Sequence, residues 1–224
     1  MESYKQEFIA FMVRAGVLTF GDVVTKSGRE TPYFINTGNY RTGSQILALG
    51  DYYAACMENS GEVFDALFGP AYKGIPLSVA AASSLFRVYG KDVPFCFNRK
   101  EAKDHGEGGS LIGHKPKVGE RIAIIEDVVT AGTAVRETVE LFKQTADVSL
   151  TALFVSVDRM ERGTGDKTTI QELQDTLGLR VYPIVTVREI IEFLHNRELD
   201  GKVVITDEVR EKMEAYLTRY GALA

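Results

Sequence analysis

The sequence has few cysteines, no long apolar run and no excess of basic residues, and each absence excludes a class of protein. Only Cys56 and Cys96 occur among the 224 residues. Their spacing fits neither a disulfide framework nor a metal site, so we interpret both as small core residues in a protein of a reducing compartment.

No apolar stretch approaches the ~20 residues of a membrane-spanning helix, and the N-terminus lacks the apolar core of a signal peptide. The formal charge of −5 argues against a general nucleic-acid binder, which needs clustered Lys and Arg. We therefore expect a cytoplasmic protein without membrane or nucleic-acid partners.

Common nucleotide-binding fingerprints are missing as well. The chain has no G-x-x-x-x-G-K-[ST] string, and no G-x-G-x-x-G string opens a helix after a strand. Neither a P-loop nor a Rossmann dinucleotide site is therefore supported. The chain also lacks an internal repeat and a domain linker. With 45% apolar residues it can bury a substantial core, and we expect one domain over residues 1–224.

Apolar strands alternate with amphipathic helices along most of the chain. Phe8, Phe11, Met12 and Ala15 fall at helical spacing and predict an opening helix that ends near Gly16. Further helices are predicted at residues 44–59, 75–89, 134–145, 168–177 and 187–196, and strands at residues 66–69, 94–97, 121–125, 150–157 and 180–185. Near-continuous apolar strands between helices indicate an α/β fold, with a central parallel sheet flanked by helices on both faces.

Local signals predict several boundaries. The helix at residues 44–59 should be capped by Ser44 and stopped by Gly61, and a last, exposed helix should follow Thr206 as its cap. Residues 22–36 indicate two short strands with a turn at residues 27–28. Pro32 limits the second strand to an edge or an irregular path.

The stretch IAIIEDVVTAGTAV, residues 122–135, predicts a buried strand that ends in two acids. Like charges resist burial together, so Glu126 and Asp127 need a partner. The turn from Thr130 to Thr133 leads into a helix, and the free backbone N–H groups of a helix start form an anion site. Carboxylates beside such a site suit a ribose, because they accept hydrogen bonds from its hydroxyl groups. An ordinary loop with Thr133 as N-cap is the alternative for the turn taken alone.

Two loops carry cations at the same predicted sheet edge. In GPAYKGIP, residues 69–76, Tyr72 and Lys73 lie between a strand and a helix, where α/β proteins bind ligands. We interpret Lys73 as a diphosphate contact, and a solvated lysine is the alternative. The stretch RKEAKDHGEGGSLIGH, residues 99–114, has four glycines and four cationic or His residues in its first seven positions. We interpret it as a mobile lid that closes over a diphosphate, and a merely solvated loop is the alternative.

Five strings, taken in order, resemble the orotate phosphoribosyltransferases, which are type I phosphoribosyltransferases. They are KSGRETPYF, GPAYKGIP, FNRKEAKDHGEGG, EDVVTAGTA and DRMERG, and they extend over nearly the whole chain. The resemblance implies the type I fold, with an N-terminal hood at about residues 1–40 and the lid at about residues 99–114. It implies transfer of ribose 5-phosphate from 5-phosphoribosyl 1-diphosphate to orotate, which yields orotidine 5′-monophosphate and diphosphate in pyrimidine biosynthesis.

The resemblance also implies the site residues. The implied catalytic residues are Lys26, Lys103 and Asp127. The implied contacts to 5-phosphoribosyl 1-diphosphate are Lys26, Tyr72, Lys73, Arg99, Lys100, Lys103, His105, Glu126, Asp127, Val128, Val129, Thr130, Ala131, Gly132, Thr133 and Ala134. The implied contacts to orotate are Lys26, Phe34, Ile35, Thr130 and Arg159, for which a salt-bridged loop arginine is the alternative interpretation. Glu126 stands where the family often has aspartate, and Ile35 where it often has a second aromatic residue.

The resemblance further implies Mg²⁺, held mainly through substrate and water rather than by protein ligands, and a homodimer with shared active sites. Two other functions fit parts of the pattern. A phosphoribosyltransferase for another nucleobase should lack KSGRETPYF and the long lid in this form. A non-catalytic regulator that binds 5-phosphoribosyl 1-diphosphate should lose lid cations and carry a basic patch or an added domain.

Overall fold

Helices and strands alternate along the chain in the computed structural model, which describes residues 1–24, 28–100, 110–129, 132–145, 147–163 and 165–222. The helices in these ranges are α1 (Ser3–Arg14), α2 (Gly43–Ser60), α3 (Gly74–Tyr89), α4 (Thr133–Thr145), α5 (Thr169–Leu177), α6 (Val187–Leu194) and α7 (Asp207–Tyr220). The strands are β1 (Leu18–Val24), β2 (Glu30–Ile35), β3 (Ala66–Gly69), β4 (Phe95–Asn98), β5 (Leu111–Gly113), β6 (Arg121–Val128), β7 (Ser149–Asp158), β8 (Arg180–Thr186), β9 (Glu198–Leu199) and β10 (Lys202–Val203). Within the described ranges, no helix is long and apolar enough to cross a bilayer.

A six-stranded sheet organises the fold, in the order β5-β4-β3-β6-β7-β8. Five of its strands run parallel, and β5 pairs antiparallel with β4 at one edge. The predicted parallel sheet is thus confirmed, whereas the antiparallel edge strand was not predicted. Because the other five strands run in one direction, their carboxyl ends meet at the same edge of the sheet.

Both faces of this sheet are covered, as predicted. In β6, Ala123 and Ile125 pack into one apolar cluster with residues of α1, α2, α3 and α6. Ile122 and Ile124 point to the opposite face and pack into a second cluster with Phe142 of α4. Successive side chains of a strand alternate between faces, so a strand buried on both sides is apolar at nearly every position.

The N-terminal hairpin forms a separate sheet from antiparallel strands β1 and β2. It confirms the predicted pair, although β1 begins at Leu18, before the predicted stretch. Ser27 of the predicted turn lies outside the described residues. Tyr33 and Ile35 of β2 are buried in the first apolar cluster. Pro32 lies in a strand that has only one neighbour, which matches its restriction to an edge.

The start of α2 differs from the prediction. Thr42, not Ser44, is its N-cap, because the Thr42 hydroxyl accepts a hydrogen bond from the Gln45 backbone N–H. The Gln45 side chain in turn accepts one from the Thr42 N–H, which completes a capping box. Gly61 ends the helix in the left-handed conformation, as predicted.

Two predicted boundaries around the sheet need correction. β6 does not end before the acids but runs through them to Val128, since Glu126 and Val128 pair with Val155 and Val157 of β7. The stretch interpreted as a lid at residues 99–114 ends in strand β5, where Ile112 pairs with Phe97. Residues 101–109 of that stretch lie outside the described residues.

The last helix, α7, begins after its predicted cap Thr206 but is not merely exposed. It buries Met213, Tyr216 and Leu217 in the first apolar cluster, and the Tyr216 ring meets Tyr33 of β2 edge to face at 6.0 Å. These three residues recur at helical spacing, so one face of α7 covers the N-terminal hairpin.

A close helix contact generates a stability prediction. A Cβ on Gly50 of α2 would lie 2.6 Å from the carbonyl oxygen of Ala80 in α3 and 2.9 Å from the Ser84 hydroxyl oxygen. Gly50→Ala should therefore lower the free energy of unfolding by ~1–3 kcal/mol, because the two helices must move apart. Urea denaturation at fixed protein concentration measures the change.

Gly43→Ala is the matched control. Gly43 begins the same helix, and a Cβ there meets nothing within 4 Å. We expect its free energy of unfolding to stay within ~0.5 kcal/mol of wild type. An unchanged value for Gly50→Ala would contradict the tight contact between α2 and α3.

Candidate active site

The acid pair lies at the carboxyl end of β6, in the middle of the sheet. The backbone carbonyl of Glu126 accepts a hydrogen bond from the Tyr53 hydroxyl at 2.7 Å. The backbone carbonyl of Asp127 accepts one from the Ser156 hydroxyl at 2.5 Å. Helix α2 and strand β7 thus hold the main chain of the acid pair on either side. These contacts fix where the two side chains leave the sheet.

Lys73 is the partner that the acid pair needs. Its ammonium nitrogen lies 2.6 Å from Oδ2 of Asp127. The Thr37 hydroxyl donates to the same oxygen at 2.6 Å, and the Val128 N–H donates to Oδ1 at 2.7 Å. Burial by itself would raise the pKa of Asp127, but the hydrogen bonds from Lys73, Thr37 and Val128 outweigh it and lower the pKa. Asp127 is therefore ionised.

The pKa of Glu126 shifts in the opposite direction from that of Asp127. Burial raises the pKa of its carboxyl group, and the adjacent charge of Asp127 raises it further. The hydrogen bond from the Asp127 N–H to Glu126 Oε1, at 3.0 Å, only partly opposes this. The structure accommodates two neighbouring acids because the pKa of Glu126 is raised and that of Asp127 is lowered. The negative charge of the pair therefore lies mainly on Asp127.

The loop between β3 and α3 is compact. A Cβ on Gly69 would lie 2.1 Å from the carbonyl oxygen of Gly74, so the loop can close only with glycine there. The Ala71 N–H donates to the side-chain oxygen of Asn98 at the end of β4. The peptide bond between Ala71 and Tyr72 is cis. This loop places Lys73 across from Asp127.

The other predicted cations near this loop are only partly described. The Tyr72 ring is 69% exposed, and the Lys100 ammonium lies 5.7 Å from its centroid. The Arg99 N–H donates to the carbonyl of Ser110, beside β5. Lys26, Lys103 and His105 lie outside the described residues.

The turn after β6 leads directly into α4. Val128 and Val129 precede it, and Thr130 and Ala131 lie outside the described residues. Gly132 has a φ of +71°, which favours glycine, and its carbonyl accepts the N–H of Arg136. Thr133 and Ala134 form the first turn of α4, so the predicted helix start is present.

A groove of about 620 Å³ joins three of the sequence motifs. Its lining includes Ala71 after β3, Asn98 at the end of β4, Lys100 after β4, and Thr133 and Ala134 at the start of α4. Lys100 and the helix N-terminus favour an anionic ligand at the loop end of the groove, whereas Glu137 and Glu140 of α4 also line it. The structure therefore brings together three motifs, the first and last of which, at Ala71 and Thr133, lie 62 residues apart in the sequence.

Of the predicted orotate contacts, Phe34 and Ile35 lie on the hairpin and Arg159 follows β7, whereas Lys26 and Thr130 lie outside the described residues. Phe34 is 37% exposed, whereas the Ile35 side chain is packed in the core. Ile35 thus has only its backbone to offer a ligand. The Arg159 guanidinium lies 4.7 Å from the Tyr33 ring centroid and pairs with Glu161 at 2.6 Å. Arg159 is therefore salt-bridged and stacked at once.

Several residues of this region were not predicted. Glu161 also accepts a hydrogen bond from the Tyr216 hydroxyl at 2.9 Å, so helix α7 helps to hold Arg159. Helical spacing of apolar residues could have indicated that α7 packs against the chain. No local pattern indicates that Thr37, Tyr53 or Asn98 contact the acid pair and the β3–α3 loop, because these contacts join distant parts of the chain.

The side chains offer no metal cage in the part of the chain that the structure describes, where no group of three or more His, Cys, Asp or Glu residues could hold an ion. The adjacent carboxyl groups of Glu126 and Asp127 supply oxygen donors, which suit a hard cation such as Mg²⁺. Two such groups fit an ion that takes most of its ligands from substrate and water.

Comparisons with known proteins agree with this geometry. The model of the phosphoribosyl transferase domain family matches residues 37–176. The orotate phosphoribosyltransferase of Clostridium beijerinckii is 52% identical, over 99% of this chain and 100% of that protein. That of Clostridium acetobutylicum is also 52% identical, over 99% of both chains. The crystal structure of orotate phosphoribosyltransferase from Francisella tularensis superposes with a TM-score of 0.84 at 33% identity, covering 96% of this chain and all of that one. The chain belongs to the orotate phosphoribosyltransferase family and has its α/β fold.

Proposed function

We propose that the protein transfers ribose 5-phosphate from 5-phosphoribosyl 1-diphosphate to orotate, in pyrimidine biosynthesis. The observation that carries the proposal is the Lys73–Asp127 contact, which joins a cation-bearing loop to an acid pair beside a helix start. Each of these parts suits one portion of 5-phosphoribosyl 1-diphosphate: cations for the diphosphate, carboxylates for the ribose hydroxyls and a helix N-terminus for the 5-phosphate.

The proposed contacts follow this division. Glu126 and Asp127 accept hydrogen bonds from the ribose, and residues 128–134 surround the 5-phosphate. The diphosphate contacts are Lys26, Tyr72, Lys73, Arg99, Lys100, Lys103 and His105. Lys73 pairs with Asp127 in this structure, and we propose that its ammonium turns from that carboxylate to the diphosphate when the substrate binds.

Orotate is proposed to bind between the hairpin and the end of β7. Phe34 offers an exposed ring, Ile35 its backbone, and Arg159 a guanidinium that matches a carboxylate or a carbonyl. Lys26 and Thr130 complete this set by family resemblance.

The proposed reaction forms the bond between orotate N1 and the anomeric carbon and breaks the bond from that carbon to the diphosphate oxygen. Orotate N1 supplies the electron pair of the new bond and loses its proton to diphosphate or solvent, while the electrons of the broken bond leave with diphosphate. Because N1 is the nucleophile, no nucleophilic side chain is required. Lys26, Lys103 and Asp127 act by positioning and electrostatic stabilisation, as negative charge grows on the leaving group and positive charge on the ribose. Mg²⁺ would take most of its ligands from substrate oxygens and water, Glu126 and Asp127 would be the nearest protein oxygen donors, and the ion would help to neutralise the charge of the diphosphate.

We also propose a cytoplasmic location and a single domain that includes the hood and the lid. Cys56 and Cys96 are free and buried, as expected for small core residues, and free thiols suit a reducing compartment.

The proposed assembly is a homodimer that pairs through α2 and α3. Val79 and Phe86 lie seven residues apart on α3 and are 37% and 60% exposed, and Leu47 of α2 is 50% exposed. Asp51 of α2 forms an ion pair with Arg87 of α3 beside them. Such an exposed apolar surface favours burial against a second copy.

The direct test of the function is loss of orotate absorbance on mixing the protein with orotate, 5-phosphoribosyl 1-diphosphate and Mg²⁺. We expect turnover only with all three, and exhaustive chelation should abolish it because the diphosphate charge is then not neutralised. Consumption of another nucleobase but not orotate would indicate a different phosphoribosyltransferase. Binding of 5-phosphoribosyl 1-diphosphate without turnover of any base would indicate a regulator.

The orotate role of Arg159 predicts a selective kinetic defect. Arg159→Lys keeps the charge but removes the planar fork that pairs with Glu161 and stacks on Tyr33. The KM for orotate should rise about tenfold or more, while the KM for 5-phosphoribosyl 1-diphosphate stays near wild type. Arg162→Lys is the matched control, because Arg162 lies in the same loop but bonds the carbonyl of Arg219. Equal rises in both KM values for Arg159→Lys would contradict the assignment.

The shared site predicts complementation between two inactive variants. Asp127→Ala and Lys103→Ala are denatured and refolded together and, as controls, each alone. If lids act across the dimer, a mixed dimer has one intact site, and random pairing should restore about a quarter of wild-type activity. Mixed dimers confirmed by mass but without activity would show that each lid serves its own subunit.

A further inference from the structure

Thr37 is the third member of the contact between Lys73 and Asp127. It lies in a single 3₁₀ turn, Thr37–Asn39, directly after β2. Its hydroxyl donates to Oδ2 of Asp127 at 2.6 Å and accepts from the Lys73 ammonium at 3.1 Å. One hydroxyl therefore touches both an acid and a cation of the candidate site.

The turn that carries Thr37 is anchored independently of Asp127. The Asn36 side chain accepts the N–H of Gly38 at 3.2 Å, and the Asn39 side chain donates to the carbonyl of Gly16 at 2.7 Å. The Tyr40 N–H closes the turn on the carbonyl of Thr37. The hydroxyl is thus presented to Asp127 by a backbone held in place through other contacts.

The two side-chain donors to Asp127 differ in how firmly they are held. The Lys73 side chain is 64% exposed, and its ammonium group lies at the end of a flexible four-carbon chain. Thr37 is short and β-branched, so its hydroxyl has few alternative positions. When Lys73 turns to the diphosphate, the Thr37 hydroxyl keeps its hydrogen bond to Oδ2 of Asp127. The Val128 N–H keeps its hydrogen bond to Oδ1.

We propose that Thr37 is a positioning residue, which keeps the Asp127 carboxylate oriented toward the ribose after Lys73 has left it. The inference rests on the proposed function, because it uses the ribose role of Asp127 and the diphosphate role of Lys73. It adds a link from the N-terminal hairpin to the ribose site.

The test compares Thr37→Val, which removes the hydroxyl at nearly constant size, with Thr37→Ser, which keeps it. The KM for 5-phosphoribosyl 1-diphosphate should rise about tenfold in Thr37→Val, the factor expected for losing a hydrogen bond to a charged group. Its kcat and its KM for orotate should change less than about twofold, because the role concerns ribose binding. Thr37→Ser should restore the wild-type KM.

Thr31→Val is the matched control. Thr31 lies in the same hairpin, is 1% exposed and donates its hydroxyl to the carbonyl of Tyr33. Thr31→Val should leave the KM for 5-phosphoribosyl 1-diphosphate unchanged. A general loss of hairpin stability would instead raise this KM in both Thr31→Val and Thr37→Val. If valine disturbs the fold at position 37, as judged by circular dichroism, Thr37→Ala removes the hydroxyl without a larger side chain and should show the same rise.

Calorimetric binding of 5-phosphoribosyl 1-diphosphate with Mg²⁺ separates this inference from the proposed function. Wild type that neither binds this compound nor consumes orotate would overturn the function. Wild type that binds and turns over, with Thr37→Val and Thr37→Ala equal to it in affinity and KM, would overturn only the role of Thr37. A tenfold loss of affinity that Thr37→Ser reverses would support it.

Discussion

The ion pair between Lys73 and Asp127 is the interaction on which the candidate site depends. Two adjacent acids at the end of a central strand repel each other, and burial makes both charges costly. Lys73 reaches Asp127 because β3 and β6 are parallel neighbours, so the loop after one strand lies beside the end of the other. The cation stabilises one charge, and the pKa of Glu126 rises in response to burial and to that charge. Without the parallel pairing, neither the partner nor the split of the two pKa values would exist.

The match to the phosphoribosyl transferase family distinguishes two parts of the molecule: residues 37–176, which the family model covers, and the flanking segments, which it does not. Residues 37–176 contain the acid pair, the cation-bearing loops and the start of α4. The β1–β2 hairpin and helix α7 lie outside this range, yet Tyr33 and Tyr216 from these elements meet around Arg159 and Glu161. Under the proposed function, the common domain binds the phosphorylated sugar, and the flanking elements select the base together with Arg159. Thr37, the first matched residue, lies where the two parts join.

The fold was largely predictable from sequence, because each strand and helix has its own periodicity. The runs ALFG and RIAII indicate buried strands whatever surrounds them, and Gly61 ends α2 by a local conformational preference. Predictions were wrong where local rules compete. Ser44 and Thr42 are both good caps, and only Thr42 has a glutamine three residues later to complete a capping box. Acids resist burial and so predicted the end of the strand, but β6 continues to Val128 because Glu126 and Val128 pair with β7. Strand β5 was missed because it forms only by pairing with β4.

The sequence by itself determined the alternation of strands and helices, the carboxylates and cations of the candidate site, and the family to which the motifs point. These features are local, since a periodicity, a turn or a motif is written in adjacent residues. The tertiary structure alone decided which of these groups touch: Lys73 contacts Asp127, Thr37 contacts both, and Tyr216 donates a hydrogen bond to Glu161, the partner of Arg159. The pKa values of the acid pair belong to the same category, because burial and the approach of a distant cation set them. Contacts between residues 36 to 90 positions apart depend on how the sheet aligns its strand ends, and no local pattern carries that information.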